Sequence, residues 1–207
     1  MFNKIKYVLV ISLPLLITAC QTTKYQTTAS SQQQWQMHQQ ELKQITAFQV
    51  KGSIAHIGEK NRSYGRFLIT QQSPNRYEIR LTTPIGTNIL TLRAEPDYAQ
   101  LTDSDGGRYD DSSVESLMRR VTNVNIPLES LHNWLKGYSD DPNADKLDNL
   151  GRLAATSFMQ NNNKWALKIT NYDTYTYHNK KIDLPATIEL THKEDLVRLK
   201  ISNWTLQ

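Results

Sequence analysis

Residues 76–81 read RYEIRL, and the alternation of apolar and charged side chains in this stretch decides the fold class. Tyr77, Ile79 and Leu81 fall on one face of an extended strand, while the charged side chains fall on the other. A strand with one buried and one solvated face is typical of an antiparallel sheet. We therefore predict a mainly β protein whose core lies against one side of such a sheet.

Strand patterns repeat on both sides of this stretch. They predict about ten strands in hairpin order, at residues 48–54, 63–71, 76–81, 88–93, 98–102, 152–159, 164–170, 172–177, 186–191 and 196–204. Closing or nearly closing such a sheet into a barrel removes its exposed edges. A barrel of this size is either filled by its own side chains or holds an apolar ligand.

Two short helices are predicted to interrupt the strands once. A capping-box pattern at Ser112 and Glu115 accompanies apolar residues at helical spacing, among them Leu117 and Met118. A second helix is predicted to start near Pro127 and to stop at Gly137. Because each helix is apolar on one face only, we expect both to cover the mouth of a half-open barrel.

The N-terminal part of the chain has the pattern of an export signal followed by a tether. Residues 1–19 combine two lysines with a short apolar run, which is typical of a removable signal peptide. Residues 16–20, LITAC, resemble the lipobox of bacterial lipoproteins, which implies cleavage before Cys20 and a diacylglycerol and an N-acyl chain on that cysteine. Gln21 then follows in place of the Asp associated with inner-membrane retention, which implies sorting to the outer membrane.

Polar, low-complexity sequence fills the rest of residues 20–34, which we interpret as a flexible lipidated tether. The stretch 21–34 reaches about 45–50 Å when fully extended. A helix is predicted to begin at Trp35, and residues 35–207 are predicted to form a single domain.

The sequence predicts no catalytic, metal or nucleic-acid site. The formal net charge of +4 falls to +2 when Lys4 and Lys6 of the signal are removed, because 22 basic residues then face 20 acidic ones. No pair of the five histidines has metal-ligand spacing, and no nucleotide-binding glycine motif is present. The pairs Asp110-Asp111 and Asp140-Asp141 are interpreted as turn and cap residues. We therefore predict no enzyme, no resident cofactor, no nucleotide and no nucleic-acid partner.

The turn at residues 82–87, TTPIGT, joins two well-patterned strands. Pro84 and Gly86 favour a tight turn with Ile85 at its tip. Two interpretations are open for Ile85. The side chain folds back into the core, which the pattern alone favours, or it protrudes into water at a cost in free energy.

Several segments, taken together in their order and spacing, resemble the LolB family of outer-membrane lipoprotein receptors. They are Trp35-x-x-His38, Phe48-x-x-x-Gly52, Tyr77-x-x-x-Leu81-Thr82-x-Pro84-Ile85-Gly86, Ile126-Pro127-Leu128-x-x-Leu131-x-x-Trp134-x-x-Gly137, Leu184-Pro185-Ala186 and Val197-x-Leu199-x-Ile201-x-Asn203-Trp204. The resemblance covers about residues 35–205, and the lipobox at Cys20 agrees with it.

The resemblance implies a fold, a function and partners. The fold is an unclosed antiparallel barrel of ten or eleven strands, with an N-terminal helix and short helices capping an apolar cavity. The function is to accept acylated lipoproteins from the periplasmic carrier LolA and to insert them into the inner leaflet of the outer membrane. The protein is then a monomer on the periplasmic face of that membrane, in contact with its lipid. A loop with an apolar tip is implicated in insertion; the matching residues are Pro84, Ile85 and Gly86, and the match favours an exposed Ile85.

Apolar residues on the predicted inner face are candidates to line the cavity. They are Val50, Ile79, Leu81, Leu90, Leu92, Leu117 and Met118. For each of them, ordinary core packing is the alternative. Three other functions stay open at this point: a lipoprotein that binds another lipid or a glycolipid, a structural assembly lipoprotein with a solid core, and an enzyme.

Overall fold

The computed structural model describes residues 29–207 apart from 60, 122–126, 129, 140, 142 and 161. The predicted signal peptide, Cys20, Ile126 and Asp140 therefore lie outside the described residues. The elements are α1 Ala29–Gln44, β1 Phe48–Ile57, β2 Arg62–Ser73, β3 Arg76–Thr82, β4 Asn88–Glu95, β5 Tyr98–Asp103, β6 Arg108–Asp111, α2 Val114–Val121, α3 Leu131–Trp134, β7 Lys146–Leu147, β8 Leu153–Gln160, β9 Asn163–Tyr177, β10 Lys180–His192 and β11 Asp195–Leu206.

All eleven strands form one antiparallel sheet in the order β6-β5-β4-β3-β2-β1-β11-β10-β9-β8-β7. Strands β1 to β6 and β7 to β11 each pair with their neighbours in sequence, and β1 pairs with β11, which joins the two groups into one sheet. The free edges are the short strands β6 and β7, and the two helices α2 and α3 lie between these strands in the sequence. Short edges limit unwanted pairing with other chains. The prediction of an unclosed antiparallel barrel with helices inserted once is confirmed.

Several elements differ from the prediction. Strand β10 begins at Lys180, six residues before its predicted start, and the second helix, predicted from near Pro127 to Gly137, is the short α3, Leu131–Trp134. Strands β6 and β7 were not predicted, because four and two residues carry too little alternation to be recognised. The two strands predicted at 164–170 and 172–177 are one strand, β9. Its register against β10 shifts near Pro185 and Thr187, which changes the face on which the apolar residues fall and so divides the pattern.

Helix α1 begins at Ala29, six residues before the predicted start, so the helix takes in residues that were interpreted as tether. Ser31, Trp35 and Leu42 are the buried residues of its inner face. The early turns have few apolar residues, and this is why the pattern missed them. The buried ammonium group of Lys136 donates hydrogen bonds to the carbonyl oxygens of Leu42 and Ile45, each at 2.9 Å, and so satisfies acceptors at the end of the helix.

Helix α1 covers one end of the barrel. The Gln71 amide donates to the carbonyl of Thr46 (2.8 Å) and the Tyr177 hydroxyl donates to that of Gln44 (3.1 Å). We call this the helix end of the sheet; it carries the β2–β3 and β9–β10 turns. The opposite end carries the β3–β4 turn at residues 83–87 and is called the hairpin end.

Candidate functional site

An apolar cavity of about 120 Å³ lies between the inner face of the sheet and the inserted helices. Every described side chain along it is apolar: Ile54, Phe67, Ile69, Ile79, Leu81, Leu90, Leu92, Met118, Leu128, Leu131, Trp134, Val197 and Leu199. Because these side chains offer no strong hydrogen-bonding group apart from the indole N–H, the cavity favours a hydrocarbon ligand over a polar one.

Alternation along the strands produces the sheet side of this cavity. In β3, Ile79 and Leu81 point inward, and they pair across the sheet with Leu92 and Leu90 of β4. The charged residue between them, Arg80, is exposed on the outer face. The inner face is therefore a continuous apolar surface that spans several strands.

Two helices supply the opposite side of the cavity. Met118 comes from α2, and Leu131 and Trp134 come from α3. The indole N–H of Trp134 donates to the carbonyl of Pro127 at 2.8 Å, which satisfies the one strong polar group of that side chain. The cavity is thus bounded by a rigid sheet on one side and by two short helices on the other.

The structure places five of the seven candidate residues along the cavity: Ile79, Leu81, Leu90, Leu92 and Met118. Val50 and Leu117 are instead fully buried and do not line it. Val50 lies opposite Trp204 and Ile69 in the packed core. Leu117 faces the sheet from α2, whereas its neighbour Met118 is only partly buried. Polarity separates inside from outside, but it does not separate a packed core position from a cavity position.

The sequence reasoning missed eight residues along the cavity. They are Ile54, Phe67, Ile69, Leu128, Leu131, Trp134, Val197 and Leu199. The strand residues among them show the same alternation that identified Ile79. The helix residues follow the spacing that predicted the second helix. The signals were present, and what was missing was the knowledge of which strands lie side by side.

The β3–β4 hairpin exposes the side chain of Ile85 to solvent. Ile85 is 91% exposed, so the side chain does not fold back into the core. The backbone N–H of Gly86 donates to the carbonyl of Thr83 (2.9 Å), and the N–H of Thr83 donates to the carbonyl of Thr87 (2.8 Å). The N–H of Thr87 also donates to the hydroxyl of Thr83 at 3.1 Å. These bonds close the loop on itself with Ile85 at its exposed tip.

Pro84 and Gly86 make this loop possible. Proline fixes φ at the second position of the turn, and Gly86 has a φ of +97°, which favours glycine. A type I turn followed by a residue with positive φ is a common three-residue hairpin connection. The loop is a stiff support with an apolar tip.

Two described residues with strongly lowered pKa values, His38 and Lys136, do not line the cavity. Burial lowers the pKa of the His38 imidazole to about 4. The nearby carboxylates of Asp148 and Asp183 both bind Arg152, at 2.8 and 3.0 Å. Burial also lowers the pKa of Lys136 to about 8. Since the two carboxylates are held by Arg152, they are not available to His38 as partners in acid–base catalysis.

Residues 46–204 match the family model described as outer membrane lipoprotein LolB. The chain belongs to the LolB family. Relatives named outer-membrane lipoprotein LolB include one from Serratia proteamaculans, 33% identical over 93% of this chain and 92% of the relative. Another, from Photorhabdus laumondii, is 36% identical over 94% of this chain and 92% of the relative.

Solved structures agree with this family at the level of the fold. A LolA superfamily protein from Nitrosomonas europaea superposes with a TM-score of 0.54 at 12% identity, covering 86% of this chain and 93% of that one. A putative outer membrane lipoprotein-sorting protein domain from Vibrio parahaemolyticus gives a TM-score of 0.52 at 11% identity, covering 87% and 94%.

Membership in the LolB family places the protein at the outer membrane and gives it a role in lipoprotein localisation. LolB is a family of lipoprotein receptors; it is not known as a family of enzymes and does not depend on a cofactor. Within the described part of the chain, no group of three or more His, Cys, Asp or Glu side chains could hold a metal ion. None of the described helices is long and apolar enough to span a bilayer.

Proposed function

We propose that this LolB-family protein accepts acylated lipoproteins from the periplasmic carrier LolA and inserts them into the inner leaflet of the outer membrane. The observation that carries the proposal is an apolar cavity bounded by two small helices, in a molecule that also presents the Ile85 side chain, 91% exposed, at the tip of a stiff loop. The cavity shelters hydrocarbon, and the loop makes contact with lipid.

The energy of the cargo explains why a cavity is needed. Three acyl chains hold on the order of 40 CH₂ groups, and each costs about 0.8 kcal/mol in water, or roughly 30 kcal/mol in total. Free diffusion of such a molecule through water is therefore excluded. Transfer between two apolar cavities avoids this cost and needs no nucleotide, only a difference in affinity between carrier and receptor.

The cavity must widen to receive acyl chains. A cavity of about 150 Å³ holds a ligand the size of benzene, and the cavity here is about 120 Å³. The sheet side is fixed by ladders of hydrogen bonds, so the movable wall is the one that carries Met118, Leu131 and Trp134. Displacing α2 and α3 outward opens the inner face of the sheet without breaking the barrel.

Ile85 serves the release step. An exposed isoleucine gains free energy when it enters the hydrocarbon boundary of a bilayer. By inserting there, Ile85 disturbs the lipid surface next to the cavity and lowers the barrier for the acyl chains to leave.

The Ile85→Glu variant tests this step. The variant should still remove lipoprotein from LolA, because Ile85 lies outside the cavity, but it should fail to deposit the cargo in membranes. Ile85→Leu is the matched control and should deposit normally. Deposition by Ile85→Glu at the rate of the unsubstituted protein would remove the proposed role of the loop.

We further propose that the protein is anchored by acyl chains on Cys20 after removal of residues 1–19. The support is the lipobox pattern, and one acyl chain holds a protein only marginally while two or three hold it firmly. The mass of the N-terminal peptide of the mature protein tests the anchor, since a peptide that begins at unmodified Cys20 contradicts it.

A further inference from the structure

The outer face of the sheet carries four cations close together: Lys51, Arg66, Arg80 and Lys200. All four are exposed, and together they line one groove of about 590 Å³. We call these four residues the basic face. Their side chains point away from the core, because each alternates along its strand with inward-facing apolar residues such as Phe67, Leu81 and Leu199.

The pairing of the strands brings these residues into register. Ser53 of β1 pairs with Lys200 of β11 on one side and with Arg66 of β2 on the other. Arg66 in turn pairs with Thr82 of β3. One row across four strands thus reads Lys200, Ser53, Arg66, Thr82, with cations separated by a small hydroxyl residue.

A bulge shapes the groove beneath the cations. The register between β1 and β11 shifts between Lys51 and Gly52. A Cβ atom on Gly52 would overlap the carbonyl oxygen of Lys200, so only glycine allows the two backbones to approach so closely. This close approach brings the backbone of Lys200 against the strand that carries Lys51.

The basic face is poorly neutralised. Among the described residues no carboxylate lies within ion-pair distance of Lys51, Arg66 or Lys200. Arg80 binds Glu78 at 2.8 Å, but that carboxylate also binds Arg93 at 2.9 Å and so is shared between two cations. No acidic residue lines the groove. A patch of this kind attracts an anionic surface.

The basic face begins one row behind the β3–β4 loop and extends from there toward the middle of the sheet, where Lys51 pairs with Leu68. Arg66 is opposite Thr82, which is only three residues from Ile85, so the row lies within about 10 Å of the loop tip along the chain. Tyr64, 60% exposed, lies on the same face of β2 two residues closer to the tip. Interfacial segments enter a bilayer by about 5–10 Å, and aromatic rings concentrate at the headgroup level. Cations one row behind an inserted tip would therefore be level with lipid phosphates.

We propose that the basic face binds the anionic headgroups of the membrane into which Ile85 inserts, so that the outer face of the sheet turns toward the bilayer. The inference rests on the proposed insertion of Ile85. It adds a second contact that fixes the orientation of the domain, with the hairpin end, which carries the cavity residues Leu81 and Leu90, held at the lipid surface. Ile85 would then lie at the depth of the hydrocarbon and Tyr64 at the interface. The basic face would lie at the depth of the lipid phosphates.

The test uses the full acylated protein anchored in vesicles of phosphatidylcholine alone or mixed with phosphatidylglycerol. A water-soluble amine reagent labels the lysines, and peptide mass spectrometry gives the rate at each one. Lys51 and Lys200 should label more slowly in the anionic vesicles, and the difference should disappear in high salt. Lys180 and Lys181, at the helix end of the sheet, are the internal control and should label equally in both vesicles.

Two substitutions distinguish a specific contact of the basic face from a general attraction between a cationic protein and anionic lipid. Arg66→Gln should shift the ratio of docked to undocked protein about fivefold toward undocked, the factor for one cation near an anionic surface. Arg76→Gln removes an exposed arginine at the helix end and should leave the labelling unchanged. Equal labelling of Lys51 and Lys200 in the two kinds of vesicle overturns the proposal, and so does an equal effect of the two substitutions.

A probe at the loop tip keeps this outcome separate from the role of Ile85. Ile85→Cys provides a thiol for a dye that reports the polarity around it. If the dye stays in water while Lys51 and Lys200 are protected, the insertion of the loop is wrong and the basic face still binds headgroups. If the dye enters the bilayer and the lysines remain equally reactive, the loop inserts and the basic face is not a lipid contact.

Discussion

His38 shows at the scale of one residue how burial links a titration to stability. The imidazole lies on α1, its Nε2 has no hydrogen-bond partner among the described residues, and burial lowers its pKa from 6.5 to about 4. Between those values the unfolded chain binds more protons than the folded one. Stability from this group is therefore complete above about pH 6.5 and is lost as the pH falls toward 4.

We expect the free energy of unfolding to fall over that window by on the order of 2–3 kcal/mol from His38 alone. His38→Gln keeps a polar side chain that does not titrate and should lose this part of the pH dependence. Urea unfolding of both proteins between pH 4 and pH 7 measures the difference. Parallel curves for the two would show that another group titrates there.

Ile85 shows what a residue pattern cannot decide. The alternation around residues 76–81 predicted the strand, and Pro84 and Gly86 predicted the turn. The direction of the Ile85 side chain depends on the hydrogen bonds that Thr83 makes across the loop, and these follow from the folded hairpin. From composition alone an isoleucine belongs in the core, and only the family resemblance favoured exposure.

At the scale of elements, the inner face of the sheet contains both packed and unpacked positions. Leu90 of β4 lies along the cavity and is only partly buried, whereas Val50 of β1 is fully buried among its neighbours. An added aromatic ring has free space at the first position and none at the second. Overpacking a close-packed position typically costs 1–3 kcal/mol.

Leu90→Phe should therefore leave the free energy of unfolding within about 1 kcal/mol and slow the acceptance of lipoprotein, because it fills space that the acyl chains need. Val50→Phe should lower stability by about 1–3 kcal/mol or more. Denaturant unfolding and transfer from LolA to the purified protein measure the two effects. A Leu90→Phe variant that accepts cargo at the normal rate would place the acyl chains elsewhere.

The element predictions succeeded where a pattern is long and failed where it is short or shifts. Strands β3 and β11 were predicted from clear alternation, and β2 from its apolar centre at Phe67, Leu68 and Ile69. Strand β7 has two residues, and no sequence signal of that length distinguishes a strand from a loop. Helix α1 began earlier than predicted because its first turns, apart from Ser31, face solvent and carry no apolar stripe.

At the scale of the whole molecule, the first and last strands, β1 and β11, pair at the centre of the sheet. Its two edges, β6 and β7, come from the middle of the sequence. Strands β1 and β11 pair along their length, and among the described strands the two free edges, β6 and β7, flank the inserted helices in the sequence. The part of the barrel that can open is therefore the part that covers the cavity. A solved structure of a LolA-superfamily protein shares this fold at 12% identity.

The length of the tether gives a prediction for the whole molecule. Deleting residues 22–26 should preserve acceptance of cargo and reduce its deposition, because with the proposed anchor at Cys20 the shortened chain could no longer bring Ile85 to the membrane. Replacing the same five residues by glycine and serine keeps the length and should preserve both steps. Transfer from LolA and incorporation into vesicles measure them separately. Normal deposition by the shortened protein would show that reach does not limit the reaction.

The early start of α1 shortens the tether and so limits the orientations that the domain can take at the membrane. Nine peptide units separate Cys20 from Ala29, so the part of the tether before α1 spans at most about 30–32 Å. Helix α1 starts beside Gly151, near the beginning of β8, and that strand runs about 26 Å to the hairpin end. The loop then projects up to about 10 Å further. With the strands perpendicular to the membrane, the tether would have to be fully extended. With the outer face of the sheet against the membrane, the required distance is shorter, and the domain keeps freedom to reorient between the carrier and the lipid.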